Sequence, residues 1–187
     1  MYQICVSGAA KGESVEEGKE LALRVGAAIA AAGHALMTGA TVGLPNYAAE
    51  GYKAAGGKMS FGISPASSKV EHIRKYRLPT EAYDVILYSG LHYVGRDSLL
   101  ITSSDAVVSI GGRLGTLHEF TIAMESGTPI GFLQGAGGIS NQIGQIMEAA
   151  QPISKDIPVL FDTDPDALVA NLAKALDDEL GPLKELY

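Results

Sequence analysis

Ser109-Ile110-Gly111-Gly112-Arg113-Leu114-Gly115-Thr116-Leu117-His118-Glu119 is the stretch from which the fold can be read. The apolar run Ala106-Val107-Val108-Ser109-Ile110 leads into it and has the character of a buried strand. Beyond it Leu117, Phe120, Ala123 and Met124 recur at helical spacing. The stretch is therefore a glycine-rich turn joining the C-terminal end of a strand to the N-terminus of a helix. In an open parallel sheet ligands bind at such turns. The unpaired N–H groups and the dipole of the helix suit a phosphate there, and glycine lets the backbone approach it closely. Glu119 falls about one turn into the helix, facing whatever the turn holds.

Outward from this point the same alternation repeats. Towards the N-terminus, Tyr2 to Val6 is a short apolar strand that breaks at Ser7-Gly8-Ala9-Ala10-Lys11-Gly12. Ser14 and Glu17 have capping-box spacing, Leu21, Val25 and Ile29 mark a helix face, and Gly33 closes the helix. Ala35 to Thr38 predicts a second strand, Gly39 to Gly43 a second glycine turn, and Leu44 to Ala55 a helix with Pro45 in its first turn. Met59 to Ile63 and Tyr83 to Tyr88 predict strands on either side of a polar, partly basic loop with room for one helical turn. His92 to Ser103 predicts the helix that carries Arg96. On the far side, Pro129 to Leu133 is a strand, Gly135 to Gly138 a third glycine turn, and Ile139, Ile143, Ile146 and Met147 mark the next helix. A strand over Ile157 to Phe161 and a helix opened by Asp164-Pro165 and closed by Gly181-Pro182 complete the chain.

The strands are continuous apolar runs, as when both faces of a sheet are covered. The prediction is one α/β domain over residues 1–187, a three-layer, Rossmann-like, doubly wound fold with a mostly parallel sheet of about seven strands. Right-handed crossovers put every strand-to-helix turn on one rim, so Ser7 and Gly8, Gly39 and Gly43, and Gly111, Gly112, Arg113, Gly115 and Thr116 are the candidate phosphate-binding residues.

Composition narrows the function. The chain has 187 residues, 47% hydrophobic and 19% charged, with a net charge of −7. That balance fits a compact globule and argues against nonspecific nucleic-acid binding, which needs a basic surface. No apolar run approaches a membrane span. The single cysteine, Cys5, lies in the first apolar run, so no intrachain disulfide is possible, and a cytoplasmic location is expected. The first predicted strand begins almost at Met1, which leaves no expected signal peptide. No zinc-type Cys/His cluster or serine-nucleophile elbow is present, and Asp84, Asp97 and Asp105 are scattered. No metal and no cofactor is expected.

Gly-Gly-x-x-Gly-Thr-x-x-Glu following Asp-Ala-Val-Val-Ser-Ile resembles the Pro-Gly-Gly-x-Gly-Thr-x-x-Glu signature of the Lonely Guy phosphoribohydrolases. It also resembles the related molybdenum cofactor carrier proteins of the same Rossmann-like superfamily. Gly112, Gly115, Thr116 and Glu119 match, Gly111 takes the proline position, and Arg113 stands at the other glycine. Arg96 falls on the family's catalytic arginine, and Asp97 replaces the lysine that follows it. Leu36 to Leu44 resembles the family's second glycine turn, with Ala40 and Thr41 replacing two glycines. Gly57 to Pro65 resembles its Gly-Gly-x-Val-x-Gly-Val-x-Pro strand. The resemblance covers roughly residues 1 to 135.

The resemblance implies a nucleoside monophosphate or related phosphorylated small molecule as partner, and a homodimer or homotetramer. In one reading Arg96 and Glu119 are catalytic and cleave the N-glycosidic bond of a nucleoside 5′-monophosphate through an oxocarbenium-like transition state. In the other the same cradle binds a nucleotide or pterin cofactor without turnover, and Arg113, Asp97 and the thinned second glycine turn point that way. The plain alternatives are a tight turn and a structural ion pair. Arg74, Lys75 and Arg77 read as a solvated face. His92 and Tyr93 read as packing or interface aromatics, with contact to a base as the alternative. His118 flanks Glu119, and His34 and His72 carry no partner signal.

Overall fold

A computed structural model describes residues 1–150 and 157–186. Its strands are β1 (Gln3–Gly8), β2 (Ala35–Thr38), β3 (Ser60–Ser64), β4 (Val85–Tyr88), β5 (Ala106–Ile110), β6 (Ile130–Leu133) and β7 (Val159–Asp162). Its helices are α1 (Glu13–Ala31), α2 (Leu44–Ala54), α3 (Lys69–Arg74), α4 (His92–Thr102), α5 (Leu114–Ser126), α6 (Ile143–Ala149) and α7 (Pro165–Leu180). The strands form one sheet in the order β4-β3-β2-β1-β5-β6-β7, and every neighbouring pair is parallel. The fold is the three-layer, Rossmann-like α/β architecture.

Alternation along the strands builds two cores. Ile4 and Val6 of β1 and Val108 of β5 pack with α1, α2 and α7. Cys5 and Val107 face the other way and pack with α4, α5 and α6. Ser7 shares the face of Cys5, so the last turn of β1 presents a hydroxyl to the α4–α5 layer. The chain runs outward from β1 to β4, then returns to place β5 on the other side of β1. The sheet order reverses there, and the ends of β1 and β5 open into the crevice that a doubly wound sheet offers a ligand.

Local chemistry explains most element ends. At the end of α1 the His34 N–H donates to the Ile29 carbonyl and the Gly33 N–H to that of Ala30, a Schellman closure that needs the positive φ of Gly33. Asp164 caps α7 by accepting from the Asp166 and Ala167 N–H groups, with Pro165 next. The capping box at Ser14 and Glu17 does not form. The helix starts earlier, with Gly12 as N-cap and no side-chain cap bond, which puts Ser14 already inside the first turn. The helix predicted from Ile139 opens as a 3-10 turn, Gly138–Gln142, before α6. The last helix ends at Leu180 with Gly181 as its C-cap, as the Gly181-Pro182 signal predicts, and a 3-10 segment follows. Residues 157 and 158 of the predicted last strand lie before β7. Among the described residues no helix is long and apolar enough to cross a membrane.

Candidate functional site

The predicted rim is physically continuous. The Ala9 N–H donates to the Ile110 carbonyl, the Leu44 N–H to that of Ala9, and the Ile139 N–H to that of Gly112. These bonds tie the turns after β1, β2, β5 and β6 together. Within this rim lies a cleft of about 240 Å³. Ser7 and Gly8 form its floor at the end of β1, and Gly39 and Thr41 enter from the second turn. Arg113, Gly115 and Thr116 come from the start of α5, with Glu119 one turn behind them. Tyr93, Arg96 and Asp97 of α4 make the opposing wall.

Three helices start from the turns of this rim without a side chain covering their N-termini. Gly12, Gly43 and Arg113 are the N-caps of α1, α2 and α5, and none makes a side-chain cap bond. By contrast α3 and α7 are capped by Ser68 and Asp164. At α2 the Leu44 N–H is taken by the Ala9 carbonyl and Pro45 has none, so the partial positive character suited to an anion comes from the first-turn N–H groups of α5 beside the cleft and from the helix dipoles.

Gly43, Gly111 and Gly112 do not line the cleft; they shape the turns around it. Gly112 has φ +90°, and a Cβ there would sit 2.0 Å from the Thr116 hydroxyl oxygen. Its carbonyl accepts from Ile139, and that of Gly111 accepts from the Ser140 hydroxyl at 2.7 Å. A Cβ on Gly43 would lie 2.4 Å from the Ala9 carbonyl. In the second turn Ala40 keeps a positive φ of 50° where the resemblance has glycine, and its N–H donates to the Thr38 hydroxyl at 3.0 Å.

The charged centre is buried. Glu119 is 9% exposed, Arg96 5% and Asp97 6%. The Ser7 hydroxyl donates to the Glu119 carboxylate. Burial pushes the Glu119 carboxyl up to about 7, with the neighbouring Asp97 charge adding to the rise. The Ser7 bond, Arg96 and His118 pull the other way without cancelling it.

Arg96 makes no salt bridge with Glu119, so the structural ion pair named as the plain alternative is not formed. Its Nη1 donates to the Ile63 carbonyl at 3.3 Å, and its Nε lies 3.0 Å from Asp97 Oδ1. That contact is close in distance but misdirected, because neither atom has a hydrogen-bond partner. The pair is thus a charge contact between sequence neighbours rather than a bidentate clamp. The arginine still reaches the cleft because position 39 is glycine: a Cβ there would fall 1.6 Å from Arg96 Nη1. On the other side of Asp97, Oδ2 meets His118 Nδ1 at 3.0 Å and joins α4 to α5.

Asp97, not among the candidate site residues, and Tyr93, expected to pack or to contact a base, both line the cleft. Neither has a motif to mark it, since only the crossing of α4 over α5 brings both to the cleft. His72, without a partner signal in sequence, is fully buried between the Ser64 hydroxyl and the Pro79 carbonyl. Lys75 pairs with Glu71 at 2.5 Å on the surface, and Arg74, Lys75 and Arg77 stand outside the cleft lining.

Known proteins share both the sequence and the shape. An uncharacterized protein of Archaeoglobus fulgidus is 34% identical over 134 residues, 72% of this chain and 81% of that protein. The molybdenum cofactor carrier protein of Chlamydomonas reinhardtii superposes with a TM-score of 0.73 at 25% identity, covering 94% of this chain and 98% of the other. The structural-genomics target TM1055 superposes with a TM-score of 0.80 at 24% identity, over 93% of this chain and 99% of its own. The model of the SLOG cluster4 family matches residues 1–169, and the chain belongs to that family.

Proposed function

We propose that the cleft binds a nucleoside 5′-monophosphate and hydrolyses its N-glycosidic bond, releasing free base and ribose 5-phosphate. The observation that carries this reading is Glu119. It is a buried carboxyl held by Ser7, raised to about 7, in a cleft lined by the uncapped start of α5. The phosphate would take the N–H groups of the α5 turn with the Thr116 hydroxyl, and Arg113 would add charge at the mouth. This leaves the ribose facing Glu119. As positive charge grows at the anomeric carbon, the ionised carboxylate stabilises it and takes a proton from water. The water oxygen bonds to the anomeric carbon as the carbon–nitrogen bond breaks, and that proton ends on the base nitrogen. A base with a pKa near the working pH is suited to this exchange. Arg96, fixed by Ile63 and Asp97, steers the phosphate or the leaving base.

Incubation with AMP, GMP, CMP and UMP, followed by chromatography for free base, tests the reading. Release of base from at least one is expected; all four left intact would contradict it.

A second reading is that the cleft carries a molybdopterin-type cofactor without turnover. It is favoured by the Chlamydomonas carrier protein at 25% identity and by Asp97, which occupies Arg96 where the resemblance has lysine. Both readings share a phosphate monoester joined to a planar heterocycle. The chain is also proposed to form a homodimer or homotetramer. Val85 and Leu87 of the edge strand β4 are 50% and 44% exposed, and Val94 of α4 is 70% exposed, which supports further burial by a second copy.

A further inference from the structure

Beyond the phosphate and the carboxyl, a third part of the cleft has no assigned partner. Tyr93 lines it from the first turn of α4, yet the residue remains 47% exposed. A tyrosine placed for packing would be covered. This one is held by a neighbouring ring while about half of it stays open. The ring of Tyr76 meets it edge-to-face, with centroids 5.6 Å apart and planes at 78°. The Tyr76 hydroxyl is in turn bonded to His92 Nδ1 at 2.8 Å. His92 holds a positive φ of 55°, a conformation that a non-glycine residue adopts only under support from its surroundings. The Arg96 guanidinium carbon, also of the cleft lining, lies over the ring at 5.9 Å from its centroid. The ring is thus fixed by Tyr76, which His92 holds in turn, close to the residue that would steer the base. Aromatic side chains supply rigid contact area at low entropic cost, and every nucleobase offers a π-face to such a surface.

We infer that Tyr93, braced by Tyr76 and His92, is the stacking wall for the planar base of the bound nucleotide. The inference rests on the nucleoside monophosphate reading and adds the base subsite to it. Stacking needs no hydrogen-bond readout, so this wall supplies affinity for the base and little discrimination among bases.

Calorimetric titration with AMP and with ribose 5-phosphate tests the assignment, since the second ligand lacks only the base. A Glu119→Gln background keeps AMP intact during the titration. Tyr93→Ala is expected to weaken AMP by about tenfold or more and leave ribose 5-phosphate within about twofold. Tyr93→Phe keeps the ring and is expected to bind AMP as before, while Tyr93→Leu keeps apolar bulk and is expected to behave like the alanine variant. Equal effects on the two ligands, or full AMP affinity in the leucine variant, would overturn the stacking wall and leave the nucleotide reading standing. Absence of binding by either ligand before any change at Tyr93 would overturn the nucleotide reading, and the wall with it.

Discussion

Glu119 shows how one residue can be tuned at the expense of the fold. Its carboxyl is raised from an ordinary value near 4.5 to about 7 because burial and Asp97 penalise the charge more than Ser7, Arg96 and His118 reward it. A group that binds its proton more tightly when folded stabilises the fold below its unfolded pKa. That stabilisation is lost as pH rises through the folded value. Between pH 4 and pH 8 the loss for this residue is on the order of 3 kcal/mol. Glu119→Gln removes the titration, so its melting temperature relative to the parent should rise between pH 4 and pH 8. Calorimetric melting at the two pH values checks this, and a constant difference would contradict the burial account. The candidate carboxyl was legible because glycine, threonine and glutamate sit at fixed offsets after a strand. Its tuning was not, because Ser7 is 112 positions away in sequence and Asp97 sits on another helix.

At the scale of elements, small residues decide how closely the layers approach. Gly26 of α1 faces the backbone of α2, where a Cβ would lie 1.9 Å from the Ala48 carbonyl oxygen. Gly144, inside α6, has no atom within 4 Å of such a Cβ. Helix propensity favours alanine over glycine by about 1 kcal/mol at either position. At Gly26 the clash must push two helices apart, and overpacking of that kind costs about 1–3 kcal/mol. Gly26→Ala should therefore lower stability, and Gly144→Ala should raise it by up to about 1 kcal/mol. Denaturant midpoints of the two variants read the opposite signs directly, and a stabilised Gly26→Ala would refute the close contact. Spacing of apolar residues made these helices legible and placed most ends within a few residues. It could not show which glycines serve contacts between helices, because α1 and α2 meet only once the sheet has formed. The capping box misled for a related reason: Ser14 and Glu17 have the right spacing, but the chain turns into α1 already at Gly12.

For the whole molecule, alternation of strands and helices made the three-layer architecture legible, and right-handed crossovers put the glycine turns on one rim. The strand order was not legible, since alternation alone does not say that β5 returns to pair with β1. That return creates the crevice and brings Ser7 beneath Glu119. The oligomer belongs to this scale too. Light scattering in solution is expected to give twice or four times the 19.4 kDa of one chain, and Leu87→Lys on the exposed edge strand should lower that mass. A parent protein already at the mass of one chain would contradict the expectation. The central claim is that the switch-point cleft holds a nucleoside monophosphate while Glu119 breaks its glycosidic bond. The most direct measurement is base release and ligand affinity for the same nucleotide, in the parent protein and in Glu119→Gln. Abolished release with affinity retained is the predicted result; release that survives in Glu119→Gln would contradict the claim.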